Sequence, residues 1–207
     1  MSNYGRNAIA AMGERLDSLL KELERFGVEN DARTTDHEEK LLNITAETGA
    51  FLTLLVQAVK ARRVLEIGTS NGYSTLWLAD AVRRLGGGVL TVEVVADKAE
   101  IARANFERAE LLPWIQLHLG DAGEFLRGQD EASQDFLFLD SDREEYVTWW
   151  PDLRRILSPG GLIIVDNATS HAVELESFLR LVQDTPGYTT SLVPLGNGEL
   201  LVLKENQ

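Results

Sequence analysis

Oxygen-bearing side chains stand at or near the end of four short apolar runs in this sequence. Glu66 lies in Val64-Leu65-Glu66-Ile67, Glu93 ends Val89-Leu90-Thr91-Val92-Glu93, Asp140 ends DFLFLD, and Asp166 with Asn167 follows Leu162 to Val165. Runs of this kind form buried parallel strands, and open α/β sheets bind ligands outside the carboxyl ends of their strands. Carboxylates gathered on one rim repel one another unless a cation or hydrogen bonds compensate. Asp140, Asp166 and Asn167 would supply three hard oxygen ligands with no His or Cys. That set suits Mg²⁺ or Ca²⁺ rather than zinc, with Mn²⁺ a further candidate. Asp-Asn after a strand is also a common turn, so the spacing alone leaves both readings open.

The first run leads into a second kind of chemistry. Gly68 and Gly72 punctuate a tight loop, and Tyr73 to Leu85 resumes at helical spacing. Strand, glycine loop and helix place backbone N–H groups and a helix N-terminus beside the strand end, where a polar or anionic ligand is bound. The spacing lacks the third glycine of the dinucleotide fingerprint and the lysine of a phosphate loop. Glu93, at the tip of the second strand, can accept both hydroxyls of a ribose.

These residues need elements to position them. Ile9, Met12, Leu16, Leu19, Leu23 and Phe26 form a heptad seam on a helix from about Arg6 to Phe26. It serves either as a brace on its own domain or as a surface for a partner subunit. Gly27 is expected to stop that helix, and Thr35-x-x-Glu38 to open a second as a capping box. Glu47 to Lys60 continues helically, with Gly49 near its start, where a ligand could approach the backbone. After strand two, Asp97 caps a helix, Ile115 to Leu119 is strand three, and Gly120-Asp121-Ala122 turns into a short helix. Arg143 to Leu157 reads as a helix despite Pro151, Ser158 to Gly161 as a turn, Leu162 to Asp166 as strand five, and Ser170 as a helix cap. Tyr188 to Leu195 and Glu199 to Lys204 form a hairpin through Gly196-Asn197-Gly198. The result is an α/β, Rossmann-like fold: a seven-stranded, mostly parallel sheet with a C-terminal antiparallel hairpin and N-terminal helices. One domain of 1–207 is expected, with 1–60 helical and 61–207 the α/β core.

Composition narrows the function. The 207 residues contain no cysteine, which excludes disulfides, thiolate metal sites and thiol nucleophiles. No signal-like or membrane-length apolar segment is present, so a soluble cytoplasmic protein is expected. The net charge of −13 disfavours nucleic acid as a partner. Arg83-Arg84, Arg103 and Arg154-Arg155 read as solvated faces. Trp149 and Trp150 read as core rather than as walls of an aromatic site.

VLEIGTSNGYS with Glu93 resembles the class I S-adenosylmethionine-dependent methyltransferases. FLFLDSDREEY followed by LSPGGLIIVDNA resembles the metal-dependent O-methyltransferases of the catechol and caffeoyl-coenzyme A type, and the likeness runs from about Leu42 to Lys204. The resemblance implies Asp140, Asp166 and Asn167 as metal ligands. It implies Ser70, Ser74, Glu93 and Ala122 at S-adenosylmethionine, with Asp121 near the adenine and Asp140 beside the cofactor; Glu66, Gly68 and Gly72 of the first motif are expected to bind the cofactor as well. Ser70 stands where the family often has a further glycine. Where the family has a lysine that deprotonates the acceptor, this chain has Arg143. Arginine stays protonated and cannot be a general base at neutral pH, though it can hold an oxyanion. His171 is a replacement candidate, whereas His37 and His118 lack a comparable context. The implied activity is methyl transfer to a hydroxyl of a small, catechol-like acceptor; the Ile9–Phe26 seam separately points to a homodimer. The alternatives are O-methylation of a hydroxylated base in transfer RNA and a non-catalytic S-adenosylmethionine-binding regulator.

Overall fold

The computed structural model describes residues 3–36 and 39–206, with side chains described from residue 13 onward. Seven strands form one sheet in the order β3-β2-β1-β4-β5-β7-β6. β1 (Arg63–Ile67), β2 (Gly88–Glu93), β3 (Ile115–Leu119), β4 (Gln134–Leu139) and β5 (Leu157–Val165) run parallel. β7 (Glu199–Lys204) is antiparallel to both β5 and β6 (Tyr188–Val193), so it is the one reversed strand. The expected sheet is the observed one.

Alternation along the strands fills two core layers. Val64, Phe136 and Phe138 face α1 (Asn3–Arg33), α2 (Ala46–Ala58), α3 (Tyr73–Arg83) and α4 (Ala96–Arg108). Leu65, Ile67, Leu137 and Leu139 face α5 (Ala122–Arg127), α6 (Tyr146–Ile156) and α7 (Ala172–Gln183). Trp149 and Trp150 belong to the second layer, as expected, and the Trp150 indole donates to Thr185 Oγ1 at 3.1 Å. Among the described residues no helix is long and apolar enough to cross a membrane.

The N-terminal segment departs most from expectation. α1 runs through Gly27 to Arg33 instead of stopping there. The missing side chain makes room for Asn43, which donates to the Leu23 carbonyl at 3.0 Å. Leu16, Leu19 and Leu23 of the heptad seam are buried in the chain's own core, each stabilising the packing by roughly 1.5–3 kcal/mol. Phe26 stays 49% exposed, and the side chains of Ile9 and Met12 lie outside the described residues. So do His37 and Glu38 of the expected capping box, and no helix forms over residues 39–45. There the Asp31 carboxylate accepts the N–H groups of Leu41 (2.8 Å) and Leu42 (2.9 Å), the latter in the left-handed region at φ 49°, which ties the segment down outside any helix. Thr45, accepting from Thr48 N, caps α2 instead. Gly49 serves packing rather than a ligand, since a Cβ there would strike the Trp77 indole.

Four smaller corrections concern element ends. Asp97 lies inside the first turn of α4, and Val95 is the cap. Residues 158–161 extend β5 through a shift of register rather than forming a free turn. His171, not Ser170, is the N-cap of α7, and no side chain caps that end. Arg143–Glu145 is a 3₁₀ turn before α6, which carries Pro151 without a break.

Candidate functional site

The carboxyl ends of β1, β2, β4 and β5 form a rim with two unlike halves. The first is the loop after β1. Gly68 and Gly72 adopt φ of 99° and 83°, a region open chiefly to glycine. Gly68 has a second reason to be bare: a Cβ would overlap the Asp140 carbonyl oxygen. Ser70 also has positive φ, 49°, which explains why a glycine would suit that position. Its hydroxyl donates to the Leu41 carbonyl at 2.7 Å and ties the loop to the N-terminal segment.

Glu93 organises the loop from the next strand. Its carboxylate is 7% exposed and accepts Ser70 N at 2.7 Å, Val94 N at 2.9 Å and Val95 N at 2.9 Å. A carboxylate has about four acceptor sites, so roughly one is left for a ligand hydroxyl unless an N–H is shared. Glu66 sits beneath the loop, fully buried, and accepts hydroxyl donors from Ser74 (2.6 Å), Thr91 (2.6 Å) and Thr75. Burial raises its pKa to about 7 in spite of those donors. Glu66 therefore has no surface for a ligand, and Ser74 has spent its proton on it. Asp121 is exposed and caps α5 through Glu124 N at 2.7 Å, with Ala122 half-buried beside it. His118 stacks on Phe125, with ring centroids 4.7 Å apart.

The second half gathers acids from β4, β5 and β7. Asp140 ends β4, and Asp166 follows β5 at 4% exposure. Asn167, at φ 63°, turns its amide nitrogen to Asp166 (2.5 Å) and Asp140 (3.4 Å). Its amide oxygen accepts from Asn197 at 3.1 Å and from Ser170 at 3.5 Å. The structure thus brings the three expected ligands together. It adds an acid that sequence reasoning missed. Glu199 is fully buried, accepts from Thr48 Oγ1 at 3.1 Å and faces Asp166. The signal was available in principle, because antiparallel pairing of Val165 with Leu200, extended by one pair, sets Glu199 beside Asp166.

Charge is poorly balanced here. Burial and then the Asp166 charge raise the Asp140 pKa well above the carboxylate range, and only Arg143 pulls it down. Burial raises Asp166 as well, while a hydrogen bond from Glu199 and the Arg143 charge lower it. Burial and Asp166 push Glu199 up to about 9, so it keeps the shared proton at neutral pH. Arg143 is 18% exposed at its side chain and reaches Glu174 at 3.4 Å; its Nε is buried with no partner. His171 is half-buried, and its Nδ1 pairs with Ser170 Oγ at 2.9 Å.

The oxygen set fits a hard divalent cation. Among the described residues no three His, Cys, Asp or Glu side chains are arranged to hold a metal; the third oxygen of the expected set is that of the Asn167 amide. Turning that amide about its Cβ–Cγ bond would present oxygen rather than nitrogen to the two carboxylates. A cation there would relieve the repulsion that raises both acids. Two cavities, of about 360 and 180 Å³, lie instead at the amino ends of the strands, around Trp114 and Gly160, away from the acids.

The O-methyltransferase family model matches residues 12–205. The chain is 40% identical over 163 residues to the catechol O-methyltransferase of Mycobacterium tuberculosis, which covers 72% of this chain and 73% of that protein. It is 34% identical over 163 residues to the catechol O-methyltransferase of Niastella koreensis, covering 74% of this chain and 72% of that one. Among solved structures it is similar to the O-methyltransferase from Bacillus cereus in complex with SAH, with a TM-score of 0.76, 27% identity and 91% of each chain covered.

Proposed function

We propose, for a chain that belongs to the O-methyltransferase family and is an S-adenosylmethionine-dependent enzyme, that it methylates a hydroxyl of a small, catechol-like acceptor and uses a divalent metal to do so. The observation that carries the reading is the contact of the rim's two halves at Gly68, where the cofactor loop lies against the Asp140 carbonyl. A methyl donor on the loop and an acceptor at the acids would then be neighbours. The names of the two catechol O-methyltransferases support the acceptor class.

When bound, S-adenosylmethionine supplies the methyl group as a sulfonium, and the divalent ion supplies a Lewis acid for the acceptor oxygens. This chain's residues do the rest. Glu93 takes a ribose hydroxyl and fixes Ser70 N–H at the loop, while Ala122 and Asp121 border the adenine. Asp140, Asp166 and the Asn167 oxygen hold the ion, and the protonated Glu199 steadies Asp166. Thr48 orients Glu199 from the start of α2. Arg143 offers charge to the developing oxyanion, and the fixed rim aligns acceptor with methyl, which supplies much of the rate. Incubation with methyl-labelled S-adenosylmethionine and a panel of catechols tests the reading. Labelled product with Mg²⁺ is expected; a panel that stays unlabelled while the cofactor binds would exclude this acceptor class.

A homodimer is proposed as well; with Leu16, Leu19 and Leu23 buried, Phe26 and Val28 are the large apolar side chains of α1 left exposed for it among the described residues. Light scattering on the intact protein gives twice the chain mass if the dimer forms.

A further inference from the structure

We propose that the acceptor is a hydroxyl compound acidic enough to bind as its anion, a phenol or enol that ionises near or below neutral pH, and that Arg143 holds that anion. The proposal rests on the O-methyl transfer reading above and concerns how the acceptor loses its proton.

Arg143 is built into the rim rather than draped over it. Asp142 accepts Glu144 N at 3.1 Å and starts the 3₁₀ turn that carries Arg143. The buried Tyr146 hydroxyl accepts Ser141 N at 2.8 Å and donates to Ser141 O at 3.2 Å, closing the loop between β4 and α6. The guanidinium launched from this loop influences both Asp140 and Asp166. Its contact with Glu174 is long, at 3.4 Å, and its Nε is buried without an acceptor. A buried charged donor left unmade is costly, so this one is set for an oxygen that arrives with the ligand.

The same group cannot take a proton, since a guanidinium stays protonated across the working range. The chain's five lysines, Lys21, Lys40, Lys60, Lys98 and Lys204, stand outside the β4–α6 and β5–α7 connections. His171 already shares its Nδ1 with Ser170. An ordinary phenol ionises near pH 10; the proposed ion would lower that value, but the proton still has to leave, and these residues are badly placed to take it. An acceptor that has left its proton in the solvent avoids the problem. Methyl transfer then forms an O–C bond with the oxygen's electron pair and breaks the C–S bond, whose pair goes to sulfur. An anion and a sulfonium become an ether and a thioether, both neutral, with no proton left over. In a chain of net charge −13, a fixed cation at this spot offsets the repulsion an anionic acceptor would meet.

The test has one arm without turnover. The probe is 4-nitrocatechol, whose ionised form absorbs at longer wavelength, added to the protein with S-adenosylhomocysteine and Mg²⁺. The bound probe should titrate at least about one pH unit below the free probe, a tenfold or greater preference for the anion. Arg143→Lys should keep the shift and Arg143→Gln should lose most of it. In the second arm, fluorinated catechols of graded acidity are methylated by the wild type at pH 6.5, and kcat/KM should fall roughly threefold to tenfold per unit rise in acceptor pKa. A bound probe that titrates like the free one, together with transfer that ignores acidity, would overturn the proposal and leave O-methyl transfer standing. A shifted probe spectrum without methylation of any catechol would instead retire the catechol-like acceptor and leave the hold on the anion intact. Should Arg143→Gln fail to fold, the wild-type shift measured without Mg²⁺, where Arg143 alone is left to favour the anion, and the acidity series decide the matter.

Discussion

The two halves of the rim present the same chemical material, acids at strand ends, in opposite states of completion. At β1 and β2, Glu66 and Glu93 each accept three hydrogen bonds from groups of the chain itself. At β4, β5 and β7, Asp140, Asp166 and Glu199 face one another with one arginine for compensation. The first half is finished by the protein and only has to receive a ligand. The second, on the proposed reading, is finished by what binds there. Buried carboxylates stay apart in their pKa values or find a cation, and the proposed divalent ion would supply one.

Four experiments press on that contrast, from the largest expected effect down. Asp140→Asn removes a ligand charge from the unfinished half, and turnover with Mg²⁺ should fall about a thousandfold, near 4 kcal/mol; near-normal rates would mean the acids are structural. Gly68→Ala attacks the seam between the halves, because the new Cβ meets the Asp140 carbonyl in a backbone conformation of φ 99°. Denaturant unfolding should show a loss of about 2–4 kcal/mol. Glu93→Ala opens the finished half: calorimetry should show S-adenosylhomocysteine binding weakened by about 1.5–3 kcal/mol, and equal affinity would remove Glu93 from the cofactor site.

The fourth is a pH dependence. A carboxyl whose pKa is raised by folding binds its proton more tightly in the folded state, so its contribution to stability is lost as pH rises towards the raised value. Glu66 should lose its share between 4.5 and about 7, and Glu199 between 4.5 and about 9. Mg²⁺ should flatten the part from pH 7 to 9, where a cation relieves the acid cluster, and leave the Glu66 part in place. Melting curves taken across pH with and without the ion read this out; a uniform effect of Mg²⁺ at all pH values would erase the distinction between the halves.

How much of this was legible in the sequence follows the range of the interactions. The β1 loop, Glu93 at the tip of β2 and the succession of strands along the chain could be read because each is written locally, as an apolar run, two glycines or an acid. Asp140, Asp166 and Asn167 were legible for the same reason. Glu199 was not, because its meaning comes from antiparallel pairing with β5 and from Thr48, 151 residues away. Glycine misled twice. Gly27 and Gly49 read locally as a helix stop and a ligand approach, yet each is bare so that Asn43 or Trp77 can pack against it. Asp31 drawing in Leu41 and Leu42 likewise replaced an expected helix with a non-helical tie.

The central claim is that the acid half of the rim is completed by a divalent ion, and calorimetric titration of Mn²⁺ into the S-adenosylhomocysteine complex tests it without reference to any acceptor. One ion per chain is predicted for the wild type, with binding weakened at least about a hundredfold in Asp140→Asn. Wild-type protein that takes up no ion, or an Asp140→Asn variant that binds it as tightly, would contradict the account.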